Sequence, residues 1–471
     1  MNKQEKIIVL LFSVFLFSEF IVFHDLPFFW DAISKSNRAN WIYTHHFSSL
    51  IVPTEINSGH PPLWITGIAL YWTVLGKAIW SARLLLLLVN FGVFYQIFLL
   101  AKNSFPKNAS IYLVFIALLE PTLLGQTTML NNDMLLLFFT LLGVNSLFNN
   151  KQWLYVVAII GVLLTNLRGI YISLAFIIIH IWLCKSQLLV FNRKMLKTYA
   201  IGFVVFLGFM FYQYAEVGWF IISKNEGFSE HRKLTGLARM FKNSAAFVKN
   251  LLDFGRLAVW IPLTVLVYQF LKLKKFKENI QASRIVVSLV VFSIVFFIGF
   301  VPFSNPMGPR YLLISFILAN ILFINLLFSS SLKEKAKKWM VSLVVIAFIS
   351  GHFWIYPSTI AQGWDSSLAY LNYFPQREKM LQYLKENDIS NASIGTNLSL
   401  NARWKSTLNN DFKKEEKFKY LDLNSDEYIL FSNIENKTKD EDIITLRTTW
   451  IEVKTFSQLG VFLTLYKNPN K

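Results

Sequence analysis

Apolar stretches long enough to cross the roughly 30 Å hydrocarbon core of a bilayer recur along the whole first three quarters of this chain. They fall near 7–23, 80–101, 109–126, 131–148, 153–167, 170–184, 198–217, 256–271, 284–301, 311–328 and 338–356. Inside hydrocarbon every backbone amide needs a partner within its own segment, so stretches of this kind fold as helices. Composition agrees. Charged residues are 16% of the 471-residue chain, against roughly 25% in a soluble protein. A soluble fold would have to hide 45 Phe and 14 Trp in one core, and single cores stop growing near about 250–300 residues. The sequence therefore predicts an α-helical polytopic membrane protein of about eleven spans. Residues 62–76, apolar but short and rich in Trp and Tyr, read as a helix lying at the interface.

Lysine and arginine set the orientation. Lys3 and Lys6, Lys102 and Lys107, Lys151, the Lys185–Lys197 loop, Lys272–Lys277 and Lys333–Lys338 all fall on one side of an eleven-span chain. By the positive-inside rule that side is cytoplasmic, with the N-terminus inside and the C-terminus outside an inner (plasma) membrane. The first apolar stretch follows two lysines as a signal peptide would, but no small-residue cleavage pattern comes after it, so it reads as an uncleaved span. The net charge of +18 is spread through these short connections, and no basic face studded with aromatics offers a seat for nucleic acid. The lone Cys184 excludes intrachain disulfides and reads as a small buried hydrophobe.

Two outer connections are long: a first loop over 24–79, and a basic one over 218–255 carrying Lys224, Arg232, Lys233, Arg239, Lys242 and Lys249. The basic loop reads either as a solvated surface or as a lid near an anionic lipid headgroup. Residues 1–357 form the transmembrane unit. Beyond it, 358–471 turns polar, with an amphipathic helix over 378–387 and short strands near 393–395, 427–431, 450–453 and 460–466. This is an extracytoplasmic α/β domain.

Charges near a membrane interior are costly and usually functional. Six such residues fall at one depth, on the outer side: Asp31, His60, Arg83, Asp133, Arg168 and Arg310. Each has a plainer reading. Asp31 and Asp133 can cap helices, the arginines can snorkel or anchor, and His60 can be an ordinary interfacial histidine. Together, two carboxylates and three guanidiniums exceed what structure requires. A carboxylate at an apolar boundary can be raised in pKa to serve as a general base, and arginines clamp phosphate in planar, bidentate fashion. The adjacent His45-His46 pair makes a poor metal site, because neighbouring residues on a helix point apart; His231 is a slightly better ligand candidate.

The motifs Trp30-Asp31-Ala32, Gly59-His60-Pro61-Pro62-Leu63, Ser81-Ala82-Arg83-Leu84, Asn132-Asp133-Met134-Leu135 and Pro309-Arg310-Tyr311, in that order, resemble the dolichyl-phosphate-mannose-protein mannosyltransferases. The resemblance extends to their bacterial relatives, among them the lipid A aminoarabinose transferase, all of the GT-C superfamily, and spans roughly residues 1–330. It implies inverting transfer of a sugar from a polyprenyl-phosphate donor to a lipid, glycan or protein acceptor on the outer face. In that frame Asp31 is the base or acceptor organiser, Asp133 the second acid, and His60, Arg83, Arg168, Arg310 and Tyr311 bind substrate. The lipid A relatives carry Lys before Pro-Pro-Leu. His60 in its place puts their donor recognition in question and leaves a divalent metal open. Two rivals stand beside this: an O-antigen polymerase or ligase, which should lack the early Trp-Asp and His-Pro-Pro pair, and a transporter or flippase, which would show midplane charges and inverted repeats.

Overall fold

The structure, a computed structural model, describes residues 1–398, 400 and 418–471. Six helical runs are long and apolar enough by themselves to cross a membrane. They are α1 (Lys3–Phe23), α4 (Ile79–Ser104), α9 (Arg168–Lys185), α10 (Arg193–Val217), α14 (Ile280–Phe300) and the run Pro309–Ser329, whose main part is α15 (Leu313–Ser329). Shorter apolar helices pack among them: α3 (Leu63–Leu75), α7 (Asp133–Phe148), α8 (Gln152–Thr165) and α13 (Leu257–Lys272), together with the 18-residue α16 (Glu334–Gly351). The stretch expected as one span over 109–126 is broken. A 3-10 turn and α5 (Val114–Leu118) end at Leu119, and α6 (Pro121–Thr127) starts afresh with Glu120 as its N-cap. The break has a chemical cause: Pro121 cannot donate to the preceding turn, and the Glu120 side chain instead accepts from the Leu123 amide at 2.6 Å.

One apolar core joins these helices, and α15 is its axis, with Leu312 through Leu327 buried almost without interruption. Polar residues stitch the interior where no water could. Asn145 donates to the Gln96 side chain at 2.8 Å. The Arg256 guanidinium, 2% exposed, pairs with the fully buried Glu120 and lies 3.9 Å over the Phe316 ring. The first loop carries α2 (Asp31–Thr44) and α3, the latter burying Trp64, Ile68 and Trp72 completely. The basic connection carries α12 (Leu237–Leu252), which meets α13 at 91°.

Beyond α16 the chain builds a four-stranded sheet in the order β1-β2-β4-β3: β1 (Ile394–Gly395), β2 (Tyr428–Ser432), β3 (Ile451–Gln458) and β4 (Val461–Lys467). β1 pairs with β2 in parallel and the remaining pairs are antiparallel. The helix α17 (Tyr373–Glu386) covers the face on which Leu430, Leu463 and Leu465 are buried. That second core also takes in Phe29 and Met129 from the helical unit, so the sheet domain is seated against the chain segments flanking Asp31 and Asp133.

Candidate active site

Asp31 is aimed by a strained turn. Trp30 is held at φ 46°, a conformation that costs a bulky L-residue energy. Its ring stacks at 5.2 Å on Phe29, and Phe29 stacks at 5.3 Å on Tyr370 of the second core. Aromatic packing fixes the turn, and α2 begins at once with Asp31. Its carboxylate caps no backbone amide of α2, nor does Asp133 stand as the cap of α7, where Asn132 is the N-cap residue. The capping readings therefore do not describe these two acids.

The two carboxylates meet around Arg310. Its Nη2 lies 2.5 Å from Asp31, its Nε 3.9 Å from Asp133, and its Nη1 donates to Asp365. Arg168 pairs with the other Asp133 oxygen at 2.5 Å and stacks 4.2 Å over the Tyr311 ring. Lys35, one helical turn past Asp31, completes the cluster at 3.8 Å from Asp31 and donates to Asn131 at 3.2 Å. Six successive connections at one end of the bundle contribute to this region, from the first loop to the segment after α16. Of the expected residues, Asp31, Asp133, Arg168, Arg310 and Tyr311 converge directly.

Beside this cluster lies a second group of cations. Arg38, on the next turn of α2, donates to Ser34 and to the Ser58 hydroxyl. Arg232, from the basic connection, donates to the Ile221 and Ser58 carbonyls. Gly59 makes this approach possible: its φ of +73° suits glycine, and a Cβ there would sit 2.8 Å from Arg232. His60 stands among Arg38, Lys35, Arg168 and Arg232, and the Leu167 amide donates to its Nδ1 at 3.5 Å.

The electrostatics differ from expectation at one point. Burial does push the Asp31 carboxyl up, but Lys35 and Arg310 outweigh it and hold the group below the usual carboxylate range. Asp31 is therefore ionised and capped by a guanidinium here, not a carboxyl poised to take a proton. Asp365 goes the other way, raised by burial against the pull of Arg310. Burial, with Arg232 and Arg38, keeps the His60 ring far below the ordinary histidine value, so it is neutral at pH 7. Burial lowers Arg38 to about 10 and also lowers Arg232.

Charge bookkeeping separates the two groups. Lys35, Arg168 and Arg310 are matched one for one by Asp31, Asp133 and Asp365. Among the described residues no carboxylate pairs with Arg38 or Arg232. The Asp31 charge still acts on Arg38 through space, but neither of these two largely buried guanidiniums has a carboxylate in ion-pair contact, a setting that favours an anion.

Arg83 lies apart. Its three nitrogens donate to the carbonyls of Leu26 and Thr128, at 2.7 to 3.2 Å. It fastens the two strands of chain that lead to Asp31 and Asp133, and its neighbours line a separate crevice of about 270 Å³ with Glu19 and Asn90. Among the described residues no three His, Cys, Asp or Glu side chains group as metal ligands would. The sequence reading missed Lys35, Arg38 and Asp365. A signal existed for two of them: Lys35 follows Asp31 at i+4, and Trp364-Asp365 repeats the Trp30-Asp31 dipeptide.

No protein-family model matches the chain, and no curated protein does. Solved structures do. ArnT from Cupriavidus metallidurans bound to undecaprenyl phosphate superposes with a TM-score of 0.55 at 11% identity, covering 97% of each chain. The same protein in its apo state gives 0.53, again at 11% identity and 97% of each chain. The chain shares the fold of ArnT, as the order of its motifs led one to expect.

Proposed function

We propose that this chain is a GT-C type membrane glycosyltransferase that moves a sugar from a polyprenyl-phosphate donor to an acceptor hydroxyl on the outer face of the membrane. The observation that carries it is that Arg38 and Arg232, beside the Asp31–Asp133–Arg310 cluster, have no carboxylate in ion-pair contact. A phosphodiester donor carries one negative charge. When the sugar leaves, the polyprenyl phosphate left behind carries about −1.5 to −2 at neutral pH. Two unmatched guanidiniums suit the second state better than the first, and that difference is what accelerates a reaction.

In this reading Arg38 and Arg232 hold the phosphate, with Arg168 and Arg310 at its flank and neutral His60 among them. Tyr311 backs Arg168 with its ring face. The acceptor oxygen attacks the anomeric carbon from the side opposite the phosphate. The bond from carbon to phosphate oxygen breaks, and the polyprenyl phosphate departs with the electron pair. Asp31 takes the acceptor proton, and Asp133 keeps Arg168 and Arg310 in register. Arg83 belongs to the scaffold, not to the clamp. The fold neighbour's bound undecaprenyl phosphate supports the donor class.

The topology that fits is eleven passes, with the broken α5–α6 run counted as one. Each connection that feeds the site then lies on the same side, and the lysine-rich connections on the other. Residues 358–471 form the extracytoplasmic domain, packed against the site. The membrane is an inner (plasma) membrane. The test is mass spectrometry of envelope lipids and proteins from cells with the native chain, without it, and with Asp31→Asn. The expected result is one sugar addition that is missing from the last two. An envelope unchanged in all three would end the proposal.

A further inference from the structure

Resting on the phosphate reading above, we infer that Asp365 is a positioning residue: it is the pivot on which Arg310 swings from Asp31 to the donor phosphate, so that the base is released only when donor is bound. Asp31 as it stands cannot serve well as a base, because Arg310 and Lys35 stabilise its ionised form. Something must first draw Arg310 off.

The two ends of the Arg310 guanidinium are held very differently. Nη2 binds Asp31, whose side chain keeps 50% of its surface accessible, on the strained Trp30 turn. Nη1 binds Asp365, whose side chain is 6% accessible. The Asp365 backbone is clamped as well. Gln126 donates to its carbonyl at 2.7 Å, and Thr122 donates to the Ser366 carbonyl at 3.1 Å. Gly125 lets the segments touch, since a Cβ there would fall 2.8 Å from the Ser367 nitrogen. An ion pair with one accessible partner exchanges more readily than one buried on both sides, which is costly to break. An arriving anion therefore competes for the Nη2 end and leaves the Nη1 end in place. Lys35 stays one turn away to steady the uncovered Asp31. Binding is then ordered, donor before acceptor.

The experiment labels carboxyls with a carbodiimide and an amine nucleophile on the purified full chain in nanodiscs, with and without undecaprenyl phosphate, and reads each site by peptide mass spectrometry. In the native chain the probe should raise Asp31 labelling at least about threefold and leave Asp365 unlabelled. In Asp365→Asn the neutral amide gives up Arg310, which closes on Asp31. The probe then binds without raising Asp31 labelling, and Asp365→Glu restores the response. Size-exclusion profiles exclude misfolding of the variants. Asp31 labelling that ignores bound probe in the native chain, or that responds equally in Asp365→Asn, overturns the pivot. Failure of the probe to bind the native chain at all overturns the phosphate reading beneath it.

Discussion

At the scale of single residues, the account turns on which charges are matched. Lys35 is the most informative. Burial pulls its ammonium from 10.5 to about 8, against the attraction of Asp31. Between those values the unfolded chain holds a proton that the folded chain does not, so this group's contribution to stability rises with pH through the window from about 8 to 10.5. Anion binding goes the opposite way: loss of the Lys35 charge above about pH 8 removes a cation from the site. The affinity for undecaprenyl phosphate should fall several-fold from pH 7 to pH 9, measured by titration of the purified protein. Lys35→Arg should flatten that fall, because a guanidinium stays charged. Asp31, Asp133, Arg168 and Arg310 were legible in the sequence because each interrupts apolar chain near a span end, where a charge stands out, and Tyr311 came only with the Pro309-Arg310-Tyr311 motif. Arg38 lies in a polar helix where nothing local marked it, and Asp365 lies in an already polar stretch where only the repeated Trp-Asp dipeptide set it apart. Arg83 stood out for the same reason as the others, yet hydrogen bonds that only three dimensions reveal commit it to backbone carbonyls.

Among the elements, the tight connection between α8 and α9 is what aims Arg168. α9 starts at Arg168, whose amide donates to the Asn166 side-chain oxygen at 2.9 Å and so fixes the turn. Gly169 packs against the last turns of α8 so closely that a Cβ would fall 2.0 Å from the Val162 carbonyl oxygen. That neighbour is backbone and cannot turn aside. Gly169→Ala should therefore push α9 away, separate Arg168 from Asp133 and reduce transfer at least about tenfold, a cost of about 1.4 kcal/mol in the barrier. Conversion of donor by membranes carrying the variant checks this. The buried Arg256–Glu120 pair does a different job: it ties the break before α6 to the start of α13. Removing one partner leaves the other charged and unpaired in the core, at about 3–5 kcal/mol. Arg256→Ala should lower the midpoint of thermal unfolding in detergent, and restoring the pair should restore it. Sequence pattern placed most helices to within a few residues, since hydrophobic runs fix them. It joined α5 and α6 because the run is apolar throughout, and only the Glu120-Pro121 step marks the break.

For the molecule as a whole, the central idea is one membrane-edge site assembled from every connection at one end of the bundle. Sidedness can be read directly. In a Cys184→Ser background, a cysteine at Lys439 in the sheet domain should react with an impermeant thiol reagent from outside intact cells. One at Lys274 should react only after the membrane is opened. The reverse pattern would invert the topology. The most direct measurement of the whole account is equilibrium binding of undecaprenyl phosphate to the purified chain, compared with Arg38→Gln and Arg232→Gln. Each lost charge-assisted contact is worth about 1.5–3 kcal/mol, so each variant should bind about ten- to a hundredfold more weakly. Arg83→Gln should bind as the native chain does, once stability is matched. Native-strength binding by both Arg38→Gln and Arg232→Gln would contradict the proposed phosphate seat.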